Sequence, residues 1–465
     1  MYVSSPEYLP PLDPDFSPLC LYNRAYQQKV AQTSIDETAR FRLAVEREEG
    51  LTERRDVDIL TSTSYTEETY CYVERHLKFI LWAVGGWRIF IEGPDSLCRR
   101  LQNDYSRTGN RSFDAEIMEK VYGSALDVQI VEDESEMPPS RRSSQPIGGH
   151  LEGCRIGFDL GASDFKIAAV QDGEAVFSTE IPWDPGSQTD PSYHYRHITD
   201  GLKQAASNLP RVDAIGGSAA GIYINNEAKV GSLFRNIPED RFDREIKNLF
   251  RRIQQEWGVP LVVVNDGDVT ALAGAISLET ANLLGIAMGS SEAAGYVDEN
   301  GRITGFLNEL AFAPVDNNPE ATLDEWSGDR GTGALYFSQQ AVNKLLPDAG
   351  IELPSDMSLA DRLKDVQALA DAGDERAHRI FETLGVYLGY SLIHYHDYYN
   401  CANVLLLGRV TSGTGGQIIL DKARTTLEGA FPDLAPQITV TIPDEKQRRV
   451  GQAVAAASLP ALDKK

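Results

Sequence analysis

The chain is long enough for two or three domains, and its acidity argues against nucleic acid as a partner. It has 465 residues, of which 42% are apolar and 24% charged, with a formal net charge of −25, so it can bury large cores but repels polyanions. No stretch approaches the roughly 18 consecutive apolar residues of a membrane helix, and the first residues lack the basic and apolar segments of a secretory signal. We therefore expect a cytoplasmic protein with neither a membrane nor a nucleic-acid partner.

The cysteines predict no disulfide framework. There are five, they lie far apart in the chain, and none forms a C-x-x-C pair. Such spacing suits reduced thiols and offers no pattern for a structural zinc ion.

The N-terminal region, residues 1–132, is predicted to be a small α/β appendage. Its apolar spacing predicts helices over 34–49 and 67–84, a strand over 87–92, helices from 94 and over 114–122, and a strand over 126–131. Residues 133–152, rich in Ser, Pro and Gly, are predicted to be a linker. No catalytic motif stands out before it, so a structural or oligomerisation role is favoured over a second active site.

The larger C-terminal region, residues 153–465, alternates strands and helices in two similar series. This pattern predicts two α/β lobes, about 153–265 and 266–465, around a cleft. Ligands of such sheets bind beyond the carboxyl ends of the strands. The residues that follow each apolar strand are therefore the site candidates.

The first candidate site follows the apolar strand RIGFDL. Asp159, Gly161, Ala162, Ser163 and Lys166 belong to a tight turn between two strands, and its small residues let backbone N–H groups approach a phosphate. Asp159, at the strand end, is expected to hold magnesium through water. An ordinary hairpin with a polar tip is the alternative.

The second candidate site follows the apolar strand LVVV at a strand-to-helix junction. Asn265 and Asp266 come first, and Asp268 lies two residues further on. A carboxylate at this place suits a general base for a hydroxyl, which we assign to Asp266. A plain helix cap is the competing explanation, and Asp268 is a candidate cap or metal contact.

Two later strand ends carry small or basic residues. Gly289 and Ser290 follow the strand LLGIAM and suit a second phosphate turn, while Gly408 and Arg409 follow VLLL and suit a nucleoside contact. Turns without any ligand are the alternative in both places. Glu292 adds a carboxylate beside the second phosphate turn, where it either repels a phosphate ligand or helps to hold magnesium.

Taken in order, these four motifs resemble the hexokinase, heat-shock 70 and actin superfamily, and most closely its ROK branch of bacterial sugar kinases and repressors. The resemblance covers about residues 155–459. It implies actin-like ATPase (ribonuclease H-like) lobes, with ATP and Mg²⁺ as cofactors. The positions matching the family's phosphate, catalytic and adenosine motifs are Asp159, Gly161, Ser163, Lys166, Asn265, Asp266, Gly289, Ser290 and Gly408.

The resemblance also implies sugar-binding residues. Gly221 closes a stretch that lies where the family has its Gly-x-Pro-Gly turn, and Glu309 lies where the family has a sugar-binding Glu-x-Gly-His motif. A second sugar-binding acid is either Asp324 or Glu325. Phe312 replaces the family's histidine, and the family's cysteine cluster is absent from residues 314–328, so no zinc is expected.

We therefore expect an ATP- and magnesium-dependent kinase of a hexose or related sugar, with Asp266 as general base and Asn265 beside the substrate. The altered residues Glu292, Phe312 and Arg409 favour an alternative: a catalytically weakened sugar- or nucleotide-binding protein of the same fold that acts as a sensor or scaffold. A repressor is disfavoured because the N-terminal region lacks a basic recognition helix. The sequence leaves a homodimer open.

Overall fold

The computed structural model describes residues 6–142, 147–161, 164–443 and 445–462, and for 445–450 it describes the backbone only. The helices and strands up to residue 130 are α1 Leu19–Gln32, β1 Thr38–Glu46, β2 Thr52–Leu60, α2 Thr66–Ala83, β3 Arg88–Glu92, α3 Asp95–Asp104, α4 Ser112–Tyr122 and β4 Asp127–Ile130. They are followed by β5 Cys154–Leu160, β6 Asp164–Gln171, β7 Glu174–Pro182, α5 Pro191–Ala206, β8 Ala214–Ala219, β9 Ile222–Ile224, β10 Glu227–Val230, α6 Glu239–Arg241, α7 Leu249–Trp257, β11 Leu261–Asn265 and α8 Asp266–Ser277. The remainder comprises β12 Leu283–Met288, β13 Glu292–Val297, α9 Gln339–Ala349, α10 Leu359–Asp371, α11 Glu375–Tyr399, β14 Asn403–Leu407, α12 Gly413–Ala430, β15 Thr439–Thr441 and α13 Glu445–Ala457.

These elements form two compact units, each assembled from segments far apart in the chain. The first comprises Met1–Arg142, Ile286–Ala294 and Phe306–Ile442, and the second comprises Ser143–Gly285, Gly295–Gly305 and Pro443–Lys465. The N-terminal region thus shares a unit with the segment that begins at Phe306. The boundaries expected from the sequence, at 132, 152 and 265, stay a prediction.

The first unit contains the N-terminal sheet, of order β2-β1-β3-β4. β1 is antiparallel to both β2 and β3, and β3 is parallel to β4. The helix predicted over 34–49 is therefore wrong. Phe41, Leu43 and Val45 are buried at every second position, as a strand requires, and their pairing with β2 and β3 decides the conformation.

A second sheet has the order β13-β12-β14-β15, with β14 and β15 parallel. Residues 286–288 of β12, residues 292–294 of β13, and all of β14 and β15 belong to the first unit. The long helix α11 packs against α12 in the same unit. Most of α11 is buried, so it is a core helix of this unit.

The second unit is built around a five-stranded sheet of order β11-β8-β5-β6-β7. β5 is parallel to β8 and antiparallel to β6, and all seven of its residues are buried. Helix α13 packs against β5 and β8. Its backbone comes so close that a Cβ at Gly157 or Gly216 would lie 1.8 or 1.6 Å from a carbonyl oxygen of α13. Both positions therefore require glycine.

Within the described ranges, no helix is long and apolar enough to cross a membrane.

Candidate functional site

Asp159 lies near the carboxyl end of β5, between β6 and β8. Strand register places it beside Lys166 of β6 and Ser218 of β8. Its Oδ1 accepts a hydrogen bond from Ser218 Oγ at 2.7 Å, and its Oδ2 lies 3.6 Å from Lys166 Nζ. Burial raises the pKa of Asp159, although Ser218 and Lys166 act in the opposite direction. Ser218 was not predicted as a site residue from the sequence; the feature that points to it is its place opposite Asp159 on β8, the strand next to β5.

The phosphate hairpin predicted after β5 is described at its two ends, Gly161 and Asp164. Gly161 N donates to Asp164 O at 2.9 Å, and Gly161 O accepts from Trp183 Nε1 at 2.8 Å. Lys166 Nζ also lies 3.7 Å from Asp164 Oδ1. The predicted tip residues Ala162 and Ser163 lie outside the described residues. The role of this turn in binding phosphate therefore stays a prediction.

Asn265 caps helix α8 and ties it to the turn at Gly221. Its Oδ1 accepts from Gly267 N at 2.7 Å, and its Nδ2 donates to Gly221 O at 2.8 Å. Gly221 has φ of 124°, and a Cβ there would lie 2.3 Å from Val230 O. The helix cap is thus Asn265 and not Asp268. Asp266 Oδ1 also accepts from Gly267 N, at 3.1 Å, but Asp266 is the first residue of the helix and Asn265 occupies the cap position.

Asp266 is the first residue of α8, and its carboxyl is electrostatically coupled to Asp159. Burial raises the pKa of Asp266 to about 6, and the Asp159 carboxylate contributes to the rise, while the Gly267 amide opposes it. A carboxyl with this pKa is largely ionised at neutral pH yet accepts a proton more readily than an exposed aspartate. Asp159 and Asp266 therefore form one pair within the second unit.

Magnesium fits the charge balance around this pair. Asp159, Asp164 and Asp266 contribute three carboxylates, and the Lys166 ammonium lies near the first two. Within the described residues, no group of three or more His, Cys, Asp or Glu side chains is arranged to hold a metal directly. Mg²⁺ usually keeps several of its waters and needs only one or two carboxylates. The donors thus suit a hydrated ion.

The second predicted phosphate turn lies in the first unit, against the start of α9. Gly289 N donates to Ser291 O at 3.0 Å, and Gly289 O accepts from Gln339 N at 2.9 Å. The carbonyl of Ser290 accepts from the side chain of Gln340 at 3.4 Å. The backbone of this turn is therefore fixed by the first residues of a helix.

Glu292 follows this turn with a buried side chain. Its Oε1 accepts from Tyr395 OH at 3.2 Å, and a Cβ at Gly333 would lie 2.0 Å from its Oε2. Burial raises the pKa of Glu292 to about 8. Its carboxyl is thus mostly protonated at neutral pH and faces Tyr395 and Gly333.

Gly408 and Arg409 follow β14, as the sequence predicts for a nucleoside contact. Gly408 has φ of 94°, and a Cβ there would lie 2.4 Å from Met288 O at the end of β12. Arg409 is exposed, and its carbonyl accepts from Gln367 Nε2 at 2.7 Å. The close approach explains the glycine without any ligand.

Glu309 lies at the carbonyl end of helix α2. The last carbonyls of a helix lack partners within it, and here Trp82 O accepts from Glu309 N at 3.0 Å. Phe312, where the resemblance expects histidine, packs between Trp82 and Phe113, with ring centroids 4.6 and 5.2 Å away. In this part of the first unit, the segment from Glu309 to Phe312 is therefore held against α2 by a backbone hydrogen bond and by aromatic packing.

The two candidates for the second sugar-binding acid differ in their surroundings. Asp324 is buried, and its Oδ2 accepts from Ser327 N at 2.8 Å, so it stabilises its own turn. Glu325 is exposed on that turn. Glu325 is therefore the better candidate for contacting a ligand.

Comparisons with known proteins agree with the resemblance. No protein-family model matches the chain. A glucokinase from Halalkalibacterium halodurans is 24% identical over 298 residues, which cover 60% of this chain and 87% of that protein.

Solved structures show the fold. The chain is similar to a ROK hexokinase from Thermus thermophilus, with a TM-score of 0.51, 18% identity, and coverage of 65% of this chain and 97% of that one. A ROK-family transcriptional regulator, homologous to the MLC protein of E. coli, matches with a TM-score of 0.50, 19% identity and coverage of 66% and 79%. The chain therefore has the actin-like ATPase fold of the ROK proteins, which confirms the resemblance that its motifs predict.

Proposed function

We propose that this chain transfers the γ-phosphoryl group of ATP to a hydroxyl of a hexose or related sugar, with Asp266 as general base. The observation that carries the proposal is the pair of Asp266 and Asp159. Burial and the neighbouring carboxylate raise the pKa of Asp266 to about 6, and Asn265, not Asp266, caps the helix. Asp266 is therefore available for proton transfer at neutral pH.

The proposed reaction is a phosphoryl transfer in line. Asp266 accepts the proton of the sugar hydroxyl, the hydroxyl oxygen forms a bond to the γ-phosphorus, and the bond to the β,γ-bridging oxygen breaks to release ADP. Magnesium, when bound, would neutralise charge on the phosphates. Asp159 would hold the hydrated ion, and Lys166 lies 3.6 Å from its carboxylate.

The remaining assignments follow the family resemblance. Asn265, Gly221, Glu309 and Glu325 are proposed to contact the sugar, with Asp324 as the weaker alternative to Glu325. The residues proposed for ATP are Gly161, Ala162, Ser163, Lys166, Gly289, Ser290, Gly408 and Arg409. The relatives support sugar phosphorylation as a class, since a glucokinase and a ROK hexokinase are among them.

Coupled measurement of ADP release over a panel of hexoses and amino sugars tests the proposal. We expect turnover of at least one sugar, and we expect Asp266→Asn to reduce kcat by about 10²- to 10⁴-fold. Asp240→Asn, on the surface of the same unit, serves as the matched control and should retain full activity. Undiminished turnover by the Asp266→Asn variant would rule out Asp266 as the general base.

The second candidate is a sensor or scaffold that binds sugar or nucleotide with little catalysis. The buried, protonated carboxyl of Glu292 directly after the second phosphate turn favours it, because the proposed phosphoryl transfer gives this group no role. Titration calorimetry with a non-hydrolysable ATP analogue and with each sugar separates the two. Binding without ADP release favours the sensor, and the absence of both kinds of binding removes it.

A further inference from the structure

The backbone before Glu309 is bound to the last turn of α2 by three consecutive hydrogen bonds. The N–H groups of Leu307, Asn308 and Glu309 donate at 3.1, 2.9 and 3.0 Å. The acceptors are the carbonyls of Val84, Ala83 and Trp82. These carbonyls have no partner inside the helix. The Glu309 segment therefore supplies the hydrogen-bond donors that the end of α2 lacks. The N-terminal region thereby fixes the backbone that presents Glu309.

The turn that carries Glu325 is held to the same region by charge. Asp329, at the end of this turn, is buried, and its carboxylate faces three cations. Lys78 Nζ lies at 2.7 Å, Arg111 Nη1 at 2.9 Å and Arg75 Nη1 at 3.0 Å. Since each cation lies more than 200 residues away in the sequence, this contact ties the turn to a distant part of the chain.

The cluster is electrically balanced. Glu74 lies 2.6 Å from both Arg75 and Arg111, and Asp114 lies 3.4 Å from Lys78. Three anions therefore face three cations. Burial lowers the pKa of Lys78, but Asp114 and Asp329 outweigh it and raise the pKa overall. A buried cluster of paired acidic and basic groups has few alternative arrangements, because each charge that loses its partners incurs a large desolvation cost.

Hydrogen bonds within the turn hold the chain on both sides of Glu325. The carbonyl of Asp329 accepts from Asp324 N at 2.8 Å, and the Asp324 carboxylate accepts from Ser327 N at 2.8 Å. Glu325 lies between these fixed points but is itself exposed. The cluster thus holds the backbone of the turn while the Glu325 side chain stays available.

We propose that the N-terminal region positions the substrate-binding acids: α2 fixes Glu309, and the cations Arg75, Lys78 and Arg111 fix the turn that carries Glu325. The inference rests on the proposed function for the assignment of these two acids to the sugar. The three cations are positioning residues, since they contact Asp329 of the turn and not the proposed sugar-binding acids. The N-terminal region is then part of the sugar site and more than an appendage.

Asp329→Asn in the full chain tests the proposal, because it removes the shared anion at nearly constant volume. Hydrogen exchange followed by mass spectrometry should show faster exchange in residues 306–312 and 323–330, with the second unit unchanged. The KM for sugar should rise at least about tenfold while the KM for ATP stays within about twofold. Asp58→Asn, an exposed ion-pair partner of Arg40 in the same region, is the matched control and should change neither quantity.

Unchanged exchange and an unchanged sugar KM in a folded Asp329→Asn variant would overturn the proposal. If that variant does not fold, Arg75→Lys serves instead, since it keeps the charge but loses the two-sided geometry of the guanidinium. It should raise the sugar KM by a smaller factor, and an unchanged KM and exchange pattern would again overturn the proposal. If no sugar is phosphorylated by the native chain, the proposed function fails, whereas the exchange pattern still decides whether the cluster orders these segments.

Discussion

The carboxylate of Asp159 raises the pKa of the Asp266 carboxyl, adding to the effect of burial. Asp159 is held in place by Ser218 and Lys166 on the two neighbouring strands. The coupling is therefore fixed by strand register. It links the residue proposed for magnesium to the residue proposed as base.

Asp159→Asn should move the acidic limb of the profile of kcat/KM against pH to lower pH. The native chain should lose kcat/KM as the pH falls through about 6, where Asp266 becomes protonated. Without the Asp159 charge, the ionised form of Asp266 is less disfavoured, so its pKa falls and the limb moves below 6. Turnover between pH 5 and 8 measures the limb, and carbon-13 NMR of the Asp266 carboxyl replaces it if turnover is too slow. A limb that stays near 6 would contradict the coupling.

Asn265→Asp should move the same limb in the opposite direction. An aspartate still caps the helix by accepting from Gly267 N. It loses the hydrogen bond to Gly221 O, however, and places a second negative charge next to Asp266. That charge should raise the pKa of Asp266 and move the limb above 6. Asn265→Ala is the companion variant: it should cost about 1 kcal/mol of stability from the lost cap without raising the limb.

The sequence predicted the second unit better than the first. β5 and β11 are largely apolar runs with polar site residues at their carboxyl ends, so both their positions and these residues follow from local pattern. Asp159 and Asp266 could be selected for this reason. The effect of Asp159 on the pKa of Asp266 could not be predicted, because it depends on where β5 and β11 end in the folded sheet.

The N-terminal region shows why parts of the first unit could not be predicted from the sequence. The sequence of β1 also fits a helix, and only its pairing with β2 and β3 excludes one. The contacts of Asp329 with α2 and of Phe312 with Trp82 join segments more than 200 residues apart. No local periodicity carries that information, so the region looked like an appendage.

Gly408→Ala should destabilise the first unit more than a comparable glycine substitution. With φ of 94° and a carbonyl oxygen 2.4 Å from the new Cβ, the variant meets both backbone strain and a clash with Met288. Gly373→Ala is the matched control, because Gly373 has φ of 81° and no atom within 4 Å of a Cβ. We expect the control to lower the free energy of unfolding by about 1 to 2 kcal/mol. Gly408→Ala should lower it by about 1 to 3 kcal/mol more. Urea unfolding followed by circular dichroism measures both, and equal costs would show that the clash relaxes.

Glu292→Gln should remove a pH dependence from the stability of the fold. In the unfolded chain Glu292 ionises above its ordinary pKa, whereas the folded chain holds it protonated up to about pH 8. Between these values the folded state binds the extra proton, so native stability falls as the pH rises, by on the order of 1 kcal/mol per pH unit. Glutamine is neutral throughout and keeps an oxygen to accept from Tyr395. The variant should therefore gain stability relative to the native chain as the pH increases from 5 to 8, and urea midpoints at several pH values measure this gain. A constant difference between the two proteins would show that Glu292 is ionised in the fold, and a charge buried against Gly333 would then need a counter-ion.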